Sequence, residues 1–307
     1  MSQNVSLQLL HLAQRVRAHV ARAPDPALQA LSPAAPLRAL VAERARVGGL
    51  GAVFALGDGL DALTFSPTLY LLESAASVAQ LAHRWSALER AWGVRHQTRF
   101  APDGAGALQL AAQPYAGALA PASQTVMITG VLAALLRRMG HGELVVAARA
   151  ARGPWRELAC DAHWLGPASL AEPPVALRLA WSRRTAPAPS ARQTLHPPSA
   201  ADDPVATTLA AIVREPHAPW TSQGLAHATR QSVRTLQRRL AAHGTTASAL
   251  ARRVRMRDAT VAIAGSLRPL TEIAHAYGFS DAAHLAREFR AASGMPPSAY
   301  RAVARTR

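Results

Sequence analysis

Arginine is the side chain with the most chemistry to offer here. All 34 basic residues are Arg and none is Lys, against 18 Asp and Glu, for a net charge of +16. A guanidinium stays charged at any physiological pH, and its flat fork of donors fits phosphate, carboxylate or paired acceptors on a ring. Two runs place Arg at helical spacing opposite an apolar stripe. In VRTLQRRLAAHG (233–244), Val233, Leu236 and Leu240 share one face, and Arg234, Gln237, Arg238 and Arg239 take the rest. In DAAHLAREFRAASG (281–294), Leu285 and Phe289 form the stripe, with Arg287 and Arg290 away from it. Between them, TASALARRVRMRDATVAIAGS (246–266) carries Arg252, Arg253, Arg255 and Arg257. Residues 214–307 hold 15 Arg and 5 acids, net +10; residues 1–213 hold 19 Arg and 13 acids, net +6. The C-terminal third is therefore the expected binder of a polyanion.

Other chemistries lack their residues. The single cysteine, Cys160, excludes an internal disulfide framework, a CxxC pair and a Cys-based zinc finger, and is expected as a buried free thiol. Twelve His form no HExxH and no tight cluster; His275 and His284 have no acidic or Cys companion at metal spacing, so no metal is expected. There is no GxGxxG, P-loop or GxSxG. Gly48-Gly49-Leu50-Gly51 lacks the strand–turn–helix setting of a dinucleotide site, and no cofactor is expected. The pairs Asp202-Asp203 and Asp58/Asp61 read as solvated loop acids. The tryptophans Trp85, Trp92, Trp155, Trp164 and Trp181 read as core packing ahead of an effector pocket. The chain is not expected to be an enzyme.

Half of the residues are hydrophobic, which excludes wholesale disorder. The N-terminal stretch has Leu9, Leu12, Ala13, Val16 and Val20 at helical spacing and no basic n-region, so it reads as an amphipathic helix, not a signal peptide. No membrane span is expected, and the expected location is the cytoplasm. Helical spacing recurs over 75–92, and 123–139 is apolar all round, as in a buried helix. Between them, 94–100 and 107–113 alternate around Asp103-Gly104, a hairpin signal. Further strands are expected at 63–72, 143–148 and 175–181. Residues 1–184 thus read as an α+β domain. Residues 185–204, with Pro187, Pro189, Pro197, Pro198 and Pro204, read as a linker.

From 205 to 307 only short helices are expected. One covers 207–213 and ends before Pro216. Then come two helix–turn–helix units, their second helices capped by Ser232 and Ser280, 48 residues apart. Thr221 and Thr271 are the expected caps of the first helices, and Gly278 supplies a positive φ in the second turn. Such a unit sets its second helix in a major groove. A helix over 246–265 spans roughly 30 Å, near the ~34 Å of one DNA turn.

The runs LAHATRQSVRTLQRRLAAHGTTASAL and PLTEIAHAYGFSDAAHLAREFRAASGMPPSAYR resemble the C-terminal domain of the AraC/XylS family of bacterial transcription regulators. The second carries the I-A-x-x-x-G-F core, the L-x-x-x-F stripe, the late Gly, the Pro pair and the Tyr-Arg end in order. Residues 1–184 more faintly resemble the arabinose-binding-type domain of the ornithine-regulator-like subgroup. The resemblance implies an α+β sensing or dimerisation domain ahead of an all-α domain with two helix–turn–helix motifs on a linker helix. It implies double-stranded DNA as partner, a small-molecule effector, RNA polymerase if the protein is an activator, and a homodimer as one arrangement. By family position, base readout falls on Arg234, Gln237 and Arg238, then on Ala283, His284 and Arg287. Arg239, Arg252, Arg253, Arg255 and Arg290 are candidate phosphate contacts, with Arg257 and Arg301 behind them and Arg301 expected to be structural. The competing reading is an enzymatic or ligand-storage domain fused to a DNA-binding module.

Overall fold

A computed structural model describes residues 37–62, 65–92, 97–104, 106–113, 120–151, 153–170, 174–184, 186, 203–216, 218 and 220–306. The helix expected over 5–20 and nearly all of the proline-rich 185–204 stretch lie outside these residues. The chain divides into two units, Met1–Leu63 with Leu72–Ser190, and Thr64–Leu71 with Ala191–Arg307.

The first unit is α+β, as the sequence indicates. Its helices are α1 (Leu37–Phe54), broken at Gly49 and followed by a 3-10 stretch to Ala62, the C-terminal end of α2 (Pro67–Glu73), α3 (Val78–Trp92) and α4 (Ala122–Arg138). An antiparallel sheet runs in the order β1 (Thr98–Pro102), β2 (Ala107–Ala112), β7 (Ala176–Ala180), β4 (Val145–Arg149), β5 (Arg156–Cys160), β6 (His163–Trp164). The short strands β3 (His141–Gly142) and β8 (Arg183–Arg184) pair separately. The β1–β2 hairpin forms as Asp103-Gly104 signals, with Gly104 at φ 73°. Helix α4 buries Val126, Met127 and Val131 through Leu136, and packs on α1 and the 3-10 stretch. Glycines permit that approach: a Cβ on Gly57 would stand 2.1 Å from the Gly130 carbonyl oxygen.

Several expectations are corrected. A strand was expected at 63–72, but the described residues from Pro67 are helical. Ser66 Oγ accepts from Leu69 N, Pro67 occupies the first turn where no N–H is needed, and Leu69–Leu72 are buried, so uniform burial mimicked a strand run. Cys160 is exposed, on the outward face of β5. Asp203 is buried and caps the next helix by accepting from Val205 N, while Asp58 pairs with Arg137. Among the tryptophans Trp85 is buried; Trp92, Trp155, Trp164 and Trp181 are half-buried.

The second unit is all-α apart from its loops. It takes α5 (Pro204–Arg214), α6 (Ser222–Ala228), α7 (Val233–Ala242), α8 (Ala247–Gly265), α9 (Leu270–Ala276), α10 (Ala282–Ser293) and α11 (Pro297–Arg305). Helix α8 packs against α5, α6, α9 and α11. Its buried positions, Leu250, Val254, Met256, Ala259 and Ile263, therefore serve both helix–turn–helix units. Residues 65–71 also belong here: Tyr300, fully buried and edge-on to Phe289, donates its hydroxyl to the Pro67 carbonyl at 2.7 Å.

Candidate nucleic-acid interface

The two helix–turn–helix units share one turn geometry. After α6, Arg230 N donates to His227 O and Gln231 N to Ala226 O; after α9, Gly278 N donates to His275 O and Phe279 N to Ala274 O. These paired bonds close the last orphan carbonyls of the first helix and need a left-handed residue at the corner. That residue is Gly278 at φ 75° in the second unit and Arg230 at φ 54° in the first. Arg230 therefore carries the backbone strain that glycine avoids. The spacing of 48 residues, visible in the sequence, identifies it as the counterpart of Gly278.

In the first unit Ser232 caps α7 as expected, its hydroxyl accepting from Thr235 N at 3.1 Å. Leu236 and Leu240 are buried, and Arg234, Gln237 and Arg238 are all exposed on the far side. No carboxylate lies on α7. Arg239 is half-buried and donates to Gln231 Oε1 at 3.2 Å.

In the second unit two caps differ from expectation. Helix α9 starts two residues earlier than a Thr271 cap would place it, behind Pro269, with no side-chain cap. Helix α10 is capped by Asp281 instead of Ser280; its carboxylate accepts from His284 N at 2.7 Å. That backbone N–H, helped by the Ser280 hydroxyl, the Ala283 N–H and the charge of Arg287, holds the Asp281 carboxyl below its ordinary range. A carboxylate one residue later reaches the helix start better than Ser280, whose Oγ bonds to Asp281 and His284. Ala283 and Arg287 are exposed. His284 is half-buried; its Nδ1 lies 3.3 Å from Ser280 N, and its ring stands edge-on to Phe279. Accepting at Nδ1 leaves the proton on Nε2, the outer nitrogen.

The rod α8 has 19 residues, about 28 Å of helix. Its arginines are largely engaged within the fold. Arg252, 68 % exposed, lies 3.7 Å from Glu288 of α10. Arg253 is half-buried, and burial lowers its pKa. Arg255 reaches across the second turn to Gly278 O at 3.5 Å, and Arg257 pairs with Asp258 at 2.7 Å. Arg301 donates to the carbonyls of Ile263 and Arg268, tying α11 to the end of the rod. Arg290 is exposed.

Among the described residues no group of three or more His, Cys, Asp or Glu could hold a metal, and no helix is long and apolar enough to cross a membrane. Residues 225–302 match the family described as "Helix-turn-helix domain". No curated protein matches the sequence. Among solved structures, a DNA-binding transcriptional dual regulator from Escherichia coli K-12 aligns at 21% identity and TM-score 0.35, over 36% of this chain and 99% of that one. The transcriptional regulator CdpR from Pseudomonas aeruginosa aligns at 14% identity and TM-score 0.34, over 94% and 97%.

Proposed function

We propose that this chain, whose residues 225–302 are a DNA-binding helix–turn–helix domain of the AraC type, is a sequence-specific transcription regulator that reads two adjacent major grooves. The observation that carries the reading is the duplicated unit: two turns with the same bonding, 48 residues apart, on one rod about 28 Å long. Two inserting helices need a separation of about 34 Å along the duplex.

In this reading Arg234, Gln237 and Arg238 meet base edges in one groove. Arg fits guanine O6 and N7, and Gln fits adenine N6 and N7. In the next groove Arg287 makes the strong contact, Ala283 offers a methyl to thymine, and His284 offers Nε2–H. Arg239, Arg252, Arg253, Arg255 and Arg290 supply positive charge toward the phosphates. Arg252 and Arg290 are the exposed members of that set, so they are the first to test. The first unit acts as a sensor for a small molecule and as a self-association domain, and RNA polymerase is the further partner of an activator. The test is selection of bound fragments from random double-stranded DNA by the full chain. Enrichment of a site with two half-sites about one turn apart is expected; recovery of unenriched DNA refutes the reading.

A further inference from the structure

A cleft of about 400 Å³ opens in the first unit between α3 and the edge strand β1. That lies within the range of small-molecule sites, about 300–1,000 Å³. His83, Ser86 and Arg90 come from one face of α3, at i, i+3 and i+7; Arg99 comes from β1. With the Gln113 amide turned so that its oxygen faces Arg99, that oxygen accepts from Nε at 3.3 Å and Nη2 at 2.5 Å, which fixes the guanidinium beside the cleft. Among the described residues no carboxylate pairs with Arg90 or Arg99.

Among the described residues the one acid in the wall, Glu89, is buried and already used. Its Oε1 accepts from Trp85 Nε1 at 2.8 Å and Thr98 Oγ1 at 2.7 Å, and its Oε2 accepts from Thr98 N at 2.8 Å. This carboxylate pins the edge strand to the helix and so sets the width of the cleft. Two guanidinium groups against one spent carboxylate leave the cleft net positive. Ala82 and Phe100 supply an apolar part of the wall.

We propose that this cleft binds a small organic anion, with a carboxylate held by Arg90 and Arg99 and an apolar body laid against Ala82 and Phe100. Resting on the regulator reading above, we assign this anion as the effector. Losing one guanidinium removes a charge-assisted bond to the carboxylate and weakens binding about 10- to 150-fold.

The experiment is calorimetric titration of the full chain with phenylacetate, phenylacetamide and inorganic phosphate, repeated on Arg90→Ala, Arg99→Ala and Arg99→Lys after circular dichroism has shown that each folds. Phenylacetate is expected to bind one to one and at least tenfold tighter than phosphate, and the neutral amide not at all. Both Ala variants are expected to lose at least tenfold, and Arg99→Lys, which keeps charge without the fork, less. Absence of phenylacetate binding up to about 10 mM, equal binding of the amide, phosphate binding as tightly as phenylacetate, or wild-type affinity in both Ala variants overturns the proposal. DNA selectivity is measured on the same samples with and without phenylacetate. Selective DNA binding without anion binding sinks only the cleft; anion binding by a chain with no DNA preference leaves the cleft standing and sinks the regulator reading.

Discussion

Replacing Tyr300 by Phe removes one oxygen atom and tests whether residues 65–71 belong to the DNA-binding unit. The Tyr300 hydroxyl donates to Pro67 O at 2.7 Å, and both residues are buried. The ring itself, edge-on to Phe289 at 4.9 Å between centroids, is unchanged by the substitution. What is lost is the bond, and what is left is a buried carbonyl without that donor, a cost of about 1–3 kcal/mol. The two-unit chain need not unfold in one step, so the measurement is hydrogen exchange read locally on α10 and α11 of the full chain. Amides that exchange through opening of this core should do so about 5- to 150-fold faster in Tyr300→Phe. Unchanged exchange in α10 and α11 refutes the placement of Pro67 in this core. It would also mean that a fragment beginning at residue 205 lacks nothing; the placement predicts instead that such a fragment is less stable than the same helices in the full chain.

Three further outcomes follow from particular residues. Gly278→Ala should destabilise the second unit by about 1–2 kcal/mol, since φ is 75° there, while Arg230→Gly at φ 54° should be neutral or stabilising; paired denaturation curves check the sign of each. DNA affinity should fall with salt at a log–log slope near −5 if about 6 phosphates are neutralised, and a slope near zero would mean the arginines face away from the backbone. His141 is buried against Trp181 and beside Arg184, and burial, then the Arg184 charge, lowers its pKa from 6.5. The neutral ring is thus favoured by folding. Stability from this source is present above about pH 6.5 and lost as pH falls below it, with a slope no steeper than about 1.4 kcal/mol per pH unit. His141→Gln should flatten that part of the melting-temperature profile; an unchanged profile places the pH dependence elsewhere.

The C-terminal helices were legible because their signals are local. Ser232 before an arginine-rich amphipathic run, Gly278 in a turn and Gly294 after Phe289 each fix backbone geometry within a few residues, and the structure places a helix end or corner at all three. The two misplaced caps differ by one and two residues: Asp281 outcompetes the adjacent Ser280 as an acceptor, and Pro269, two residues before Thr271, starts a helix without a side-chain cap. The first unit was less legible. Strands β6 and β8 have two residues each, and β5 carries polar residues at exposed positions, so their alternation is weak; the run Leu69–Leu72 is buried on all sides and has no period to read. The role of Glu89 had no sequence signal, because Thr98 and Trp85 become its partners only when β1 lies along α3. The exposure of Arg234, Gln237, Arg238 and Arg287 follows from the apolar stripe opposite them, whereas the engagement of Arg252, Arg255 and Arg257 depends on neighbours that spacing alone does not reveal.

The central claim is that α7 and α10 enter two different grooves. A base-by-base binding profile of the full chain and of Arg238→Ala and Arg287→Ala, at one fixed salt concentration, tests it most directly. Each substitution should cost about 1–3 kcal/mol and relax discrimination at its own base pairs, with the two sets about one helical turn apart. Uniform loss of affinity across all sequences, or loss of discrimination at the same base pair in both variants, contradicts the two-groove account.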